Sequence, residues 1–100
     1  VVSSAKAALE SHIRQLAMEL ARYGSGITAN SIQAGVTMTP ALMKIPEHEE
    51  IIRVATARNP TGRLTTPQDV ANAIVALSGD DLDFISGNII RVDGAEFVTG

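Results

Sequence analysis

The sequence predicts an α/β fold built on a parallel sheet, and two observations carry that expectation. Segments with helical and strand-like patterning follow one another in the order helix, strand, helices, strand, which suits parallel strands joined by crossover helices. Glycine or proline separates most of these segments, so the chain has turn residues where such a fold has to turn.

Residues Ser4 to Arg22 read as a helix. Leu9, Ile13, Leu16, Ala17, Leu20 and Ala21 recur at three- and four-residue spacing, while Glu10, Arg14, Glu19 and Arg22 take other faces. Gly24 and Gly26 stop it. Ile27 to Ile32 reads as a short strand, followed by a loop broken by Pro40 and Pro46. A helix from Glu47 to Ala57 comes next, with acidic residues in its first turn, where the helix dipole favours them. Asn59-Pro60-Thr61-Gly62 ends that helix as a turn. Thr66 as N-cap and Pro67 at the first helical position open another helix, with Val70, Ala73, Ile74 and Leu77 as its buried stripe and Gly79 as its close. Ile89 to Val92 is the final strand, entered from Ser86-Gly87 and left at Asp93-Gly94.

Composition narrows the function classes. One hundred residues with 45% apolar content and a formal charge of −3 describe a single globular unit rather than a disordered tail or a basic nucleic-acid binder. No apolar run approaches the roughly 20 residues that span a bilayer, and with no charged-then-apolar run before the first helix pattern neither a membrane span nor a leader is expected. The absence of cysteine rules out a disulfide framework and thiolate chemistry and fits a reducing compartment, so a cytoplasmic location is expected. His12 and His48 fall on different helices without neighbouring ligands, so no metal site is expected. The chain opens inside a helix pattern without an initiator methionine and holds no G-x-G-x-x-G turn for a dinucleotide pyrophosphate; the expectation is a piece of something longer.

Four segments then appear in a telling order: Ser3-Ser4-Ala5-Lys6-Ala7-Ala8-Leu9-Glu10, Asn30-Ser31-Ile32-Gln33-Ala34-Gly35-Val36-Thr37-Met38-Thr39, the run from Pro60-x-Gly62-Arg63 to Pro67-x-Asp69-Val70-Ala71, and Gly87 with Val92-Asp93-Gly94-Ala95. Together they cover almost the whole chain and resemble the C-terminal half of a short-chain dehydrogenase/reductase. The resemblance implies that residues 1–100 are the C-terminal part of a Rossmann-type doubly wound parallel sheet, within a single domain. It implies NAD or NADP as cofactor. Lys6 would hold the nicotinamide ribose and lower the pKa of a catalytic tyrosine, since a nearby cation favours phenolate. Gly35 would let the chain pass the nicotinamide without a side chain, the Val36 backbone would bond the carboxamide, and Thr37 and Thr39 would complete the cofactor contacts, Thr39 through its hydroxyl. Met38, Ala41, Leu42 and Met43 would belong to a mobile substrate loop, in which methionine adapts to irregular apolar shapes. The segment around Arg63 reads as structural, with an Arg63–carboxylate pair.

The family tyrosine is not where its common spacing puts it. Tyr-x-x-x-Lys would place it at residue 2, which is Val2; the longer spacing of enoyl-acyl-carrier-protein reductases would place it just upstream of Val1. Tyr23 is roughly 25 Å from Lys6 along a helix axis, which removes it as the catalytic acid. With Ala34-Gly35 where the family usually has Pro-Gly, the resemblance favours an enoyl-acyl-carrier-protein reductase of fatty acid biosynthesis, acting on a small-molecule or carrier-bound acyl substrate. A carbonyl or alcohol dehydrogenase is the alternative, and a catalytically inactive member with a structural role is a third. The family also implies a homodimer or homotetramer through helix 4–22, whose Ala7, Ala8, Ala17 and Ala21 permit close helix approach. No nucleic-acid or membrane partner is expected.

Overall fold

The computed structural model describes residues 2–99. Its elements are α1 (Val2–Arg22), β1 (Ser31–Ala34), α2 (Pro40–Met43), α3 (His48–Arg58), α4 (Pro67–Leu77), a 3₁₀ turn at Asp80–Leu82, β2 (Ile89–Val92) and a second 3₁₀ turn at Glu96–Thr99. The chain divides into two compact units, Val1–Ile32 with Val75–Ile90 and Gln33–Ile74 with Arg91–Gly100. β1 and β2 pair. Ser31 N–H donates to Asn88 O at 2.9 Å and Gly35 N–H to Val92 O at 3.2 Å; donors and acceptors advance along the chain in step, so the pair is parallel. The fold is therefore α/β, as the pattern predicts.

In the first unit, α1 ends in a Schellman motif. Ser25 N–H reaches Leu20 O, Gly24 N–H reaches Ala21 O at 3.0 Å, and Gly24 takes the left-handed φ of 63° that a glycine adopts without cost. Ala17 is buried and lies against Gly87, where an added Cβ would stand 3.4 Å from the Ala17 Cβ. Residues 27–30, expected as strand, are not. The chain opposite them, Ile85–Asn88, is itself irregular and turns through Gly87 at φ 77°. Pairing there runs partly through side chains: Ala29 N–H donates to Ser86 Oγ, and the Asn30 amide donates to Ile85 O and accepts from Asn88 N–H. A regular strand begins at Ser31, close to where its partner becomes regular.

The second unit contains α2, α3, most of α4 and the ends of both strands. The expected loop after Thr39 includes a short helix. Pro40 supplies its first residue, and the Thr39 hydroxyl caps it by accepting from Leu42 N–H at 3.2 Å. α3 runs one residue later than expected at each end, and Glu47 is its cap position rather than part of its first turn. Gly62 N–H closes the predicted turn on Asn59 O at 3.0 Å. Thr66 and Asp69 form a reciprocal box at the start of α4: Asp69 N–H donates to Thr66 Oγ1 at 3.1 Å, and Thr66 N–H to Asp69 Oδ2 at 2.8 Å.

The apolar stripes are covered less than the pattern predicts. Among the described residues the buried apolar core is Ala17, Ala55 and Leu64, while Leu9 and Ile74 are each 51% exposed. No described helix is long and apolar enough to cross a membrane.

Candidate functional site

The Asn30–Thr39 segment leaves the sheet at Gly35, whose N–H makes the last ladder bond to Val92 O. Gly35 has no left-handed φ; its bareness answers to packing instead. A Cβ there would stand 2.7 Å from Thr65 Oγ1, 3.0 Å from Asp93 Cβ and 3.1 Å from Glu96 Oε2. The next residue, Val36, presents its N–H to both oxygens of Glu96, at 3.3 and 3.2 Å. Thr37 Oγ1 donates back to Gly35 O at 2.7 Å, and Thr37 bridges Thr65 in parallel. The Thr39 oxygen serves as helix cap, which leaves its own proton free to donate. Gly35, Val36 and Thr37 are thus brought together in the second unit.

Lys6 lies in the first unit, exposed on α1. Tyr23 sits one residue past the end of that helix and is 86% exposed. Of the substrate-loop residues, Leu42 is half-buried while Met38, Ala41 and Met43 are exposed.

Beside Val36 lies a cavity of about 670 Å³, with Ile51, Val54 and Ala55 of α3 together with Phe97 as apolar wall and Glu50, Arg58 and Glu96 as charged wall. Its size is that of a small-molecule pocket. Glu96 has no local sequence signal, because the amide that it holds belongs to a residue 60 positions earlier. It is held in place by the turn after β2. Asp93 accepts from Ala95 N–H at 3.1 Å and Phe97 N–H at 3.0 Å through its carboxylate, and from Glu96 N–H at 3.1 Å through its carbonyl. The Arg91 guanidinium lies 3.8 Å over the Phe97 ring.

Behind the segment is a polar framework that sequence reading places only as a turn. Asn59 is 4% exposed; its amide donates to Asp93 O at 3.0 Å, and its oxygen accepts from Thr61 N–H and Oγ1 at 2.9 and 2.7 Å. The Asn-Pro dipeptide was its one legible trace. Arg63 pairs with Asp69 through two bonds of 2.7 and 3.2 Å, the expected carboxylate pair. The Arg63 bonds, with those from the Thr66 backbone and hydroxyl, hold the Asp69 carboxyl well below the usual carboxylate range, and the same contact raises Arg63. Among the described residues no cluster of three His, Cys, Asp or Glu is placed to hold a metal ion.

Comparison with known proteins returns one consistent group. Residues 1–95 match a family model described as enoyl-(acyl carrier protein) reductase. The chain is 39% identical over 92 residues to the (2S)-[(R)-hydroxy(phenyl)methyl]succinyl-CoA dehydrogenase subunit of Thauera aromatica, covering 92% of this chain and 36% of that protein. It is 36% identical over 100 residues to the NADH-dependent enoyl-[acyl-carrier-protein] reductase of Aquifex aeolicus, covering 100% of this chain and 36% of the relative. The Bacillus cereus enoyl-acyl-carrier-protein reductase, solved with NADP⁺ and indole naphthyridinone, superposes with a TM-score of 0.86 at 32% identity, over 97% of this chain and 37% of that one. The chain thus spans little more than a third of the length of these relatives.

Proposed function

This chain belongs to the short-chain dehydrogenase/reductase family, and on that premise we propose that it is the C-terminal part of a Rossmann-type domain in an NAD(P)-dependent oxidoreductase. The preferred activity is enoyl-acyl-carrier-protein reduction in fatty acid biosynthesis, in the cytoplasm. The observation that best supports a nicotinamide site is the Val36 amide. It stands just beyond the ladder, points at an anionic oxygen and lines the 670 Å³ cavity. A carboxamide oxygen is an acceptor of the same kind, so the donor present fits the group.

In this reading Val36 N–H and the Thr39 hydroxyl orient the carboxamide, while Gly35 and Thr37 shape the backbone beside it. Lys6 binds the ribose hydroxyls with a compact, three-donor cation. When bound, the nicotinamide supplies the hydride, and the accompanying proton comes from the tyrosine that the family spacing places upstream of Val1. Met38, Ala41, Leu42 and Met43 cover the acyl chain and keep water from it. Ala7 and Ala8, both exposed on α1, offer the close approach for a homodimer or homotetramer, since Ala17 is already engaged against Gly87.

A carbonyl or alcohol dehydrogenase is the second reading, favoured by the 39% identity to the succinyl-CoA dehydrogenase subunit. The deciding experiment compares kcat/KM of the intact protein, with NADH and NADPH, for crotonyl and octenoyl thioesters, acetoacetyl thioester and a small ketone. Enoyl reduction that rises with chain length is expected, because each buried methylene is worth about 0.8 kcal/mol. Preference for the carbonyl substrates moves the protein to the second reading, and inertness to all of them, like the valine at residue 2, points to the inactive member. Lys6→Ala is expected to slow turnover by about 10²–10⁴-fold; unchanged kcat and cofactor KM would remove Lys6 from the site.

A further inference from the structure

We propose that Glu96 is a built-in competitor for the Val36 amide: its carboxylate occupies the N–H that the nicotinamide carboxamide takes in the reading above, and it must leave for the dinucleotide to bind. The proposal rests on that reading and adds a control on the same site. Both carboxylate oxygens lie within 3.3 Å of Val36 N, and one stands 3.1 Å from the point where Gly35 would carry a Cβ, so the side chain fills the open side of the strand end. A carboxylate is a stronger acceptor than a neutral amide oxygen, so the exchange opposes binding.

The rest of the turn makes this a side-chain movement. The Glu96 backbone is fixed by its N–H bond to Asp93 O and by the Thr99 hydroxyl bond to its own carbonyl, at 3.1 and 2.7 Å. Its neighbour Phe97 is held by Asp93 and by Arg91. Only the rotatable bonds of Glu96 are free to carry the carboxylate off Val36. Glu96 therefore sets how readily the site is occupied, without touching the reacting atoms.

The test is calorimetric titration of the intact protein with NADH and with NADPH. Glu96→Ala is expected to lower Kd by about 10-fold, the effect of one released charge-assisted hydrogen bond, and Glu96→Gln by less. Glu49→Gln removes the same charge from an exposed position on α3 and controls for simple relief of repulsion toward an anionic dinucleotide. Its Kd is expected to stay within twofold of the unmodified protein. An amide NMR spectrum gives an independent reading: the Val36 resonance should shift on Glu96→Ala without ligand and shift again with NADH. Equal tightening by Glu49→Gln, or Glu96 variants that bind no more tightly than the unmodified protein, overturns the proposal while leaving the dinucleotide site intact. If neither the unmodified protein nor any variant binds dinucleotide, the functional reading falls and the competitor falls with it.

Discussion

Helix α1 and the turn network around Asn59 are opposite solutions to the same task. α1 is long and regular, ends in local backbone bonds between residues 20 and 25, and leaves large apolar side chains such as Leu9 half exposed. The Asn59 network is irregular and polar, with both Asn59 and Thr65 only 4% exposed, and it binds residues far apart in sequence. Substitutions on α1 are therefore forgiven one at a time, whereas each group in the network has a neighbour that suffers when it goes.

The sharpest way to break that contrast is Asn59→Ala. It removes three hydrogen bonds made by one buried side chain, to Asp93 O and from Thr61 N–H and Oγ1, and at about 1 kcal/mol each is expected to cost about 3 kcal/mol in urea denaturation of the intact protein. A loss no larger than that of Leu16→Ala on α1 would erase the distinction. Gly35→Ala comes next, at about 2 kcal/mol, because the new Cβ meets Thr65 Oγ1 at 2.7 Å and Asp93 Cβ at 3.0 Å, atoms at the base of short side chains, as well as the end of Glu96. Ala95→Gly tests the network in the stabilising direction. Ala95 holds φ 71°, and relief of left-handed strain on a methyl-bearing residue is expected to add about 1 kcal/mol, read as a higher denaturation midpoint with unchanged m. The smallest effect belongs to the solvent-facing Arg63–Asp69 pair. The folded state lowers the Asp69 pKa, so the pair's contribution is present above the unfolded value near 4 and is lost as pH falls through the lower folded value. Denaturation midpoints taken from pH 5 down to pH 2 should fall less steeply in Asp69→Asn than in the unmodified protein.

The same contrast explains what the sequence could show. The start of α4 was legible because Thr66, Pro67 and Asp69 act on one another within a single turn, and the end of α1 because Gly24 sits at its C′ position. Strand β1 was misplaced because the regularity of its partner decides where its own ladder begins, and that partner lies more than fifty residues away. The Asn30–Thr39 segment was recognised by motif, but the carboxylate standing on Val36 was invisible, since nothing around Glu96 announces a partner 60 residues upstream. Gly35 was singled out for the room it would leave a nicotinamide; the groups that crowd it here are Thr65, Asp93 and Glu96 of the chain itself.

Asn30 also sets a timetable. Its amide bonds Ile85 O and Asn88 N–H, partners 55 and 58 residues away, and it sits at the threshold of the parallel pair. Capped helices relax within about a microsecond, but a contact of that span must first close a loop through more than half the chain, and long-range parallel pairing is the slow part of such folds. Asn30 thus ties the entry of one strand to the entry of the other, so that the sheet is completed only after these distant contacts have met.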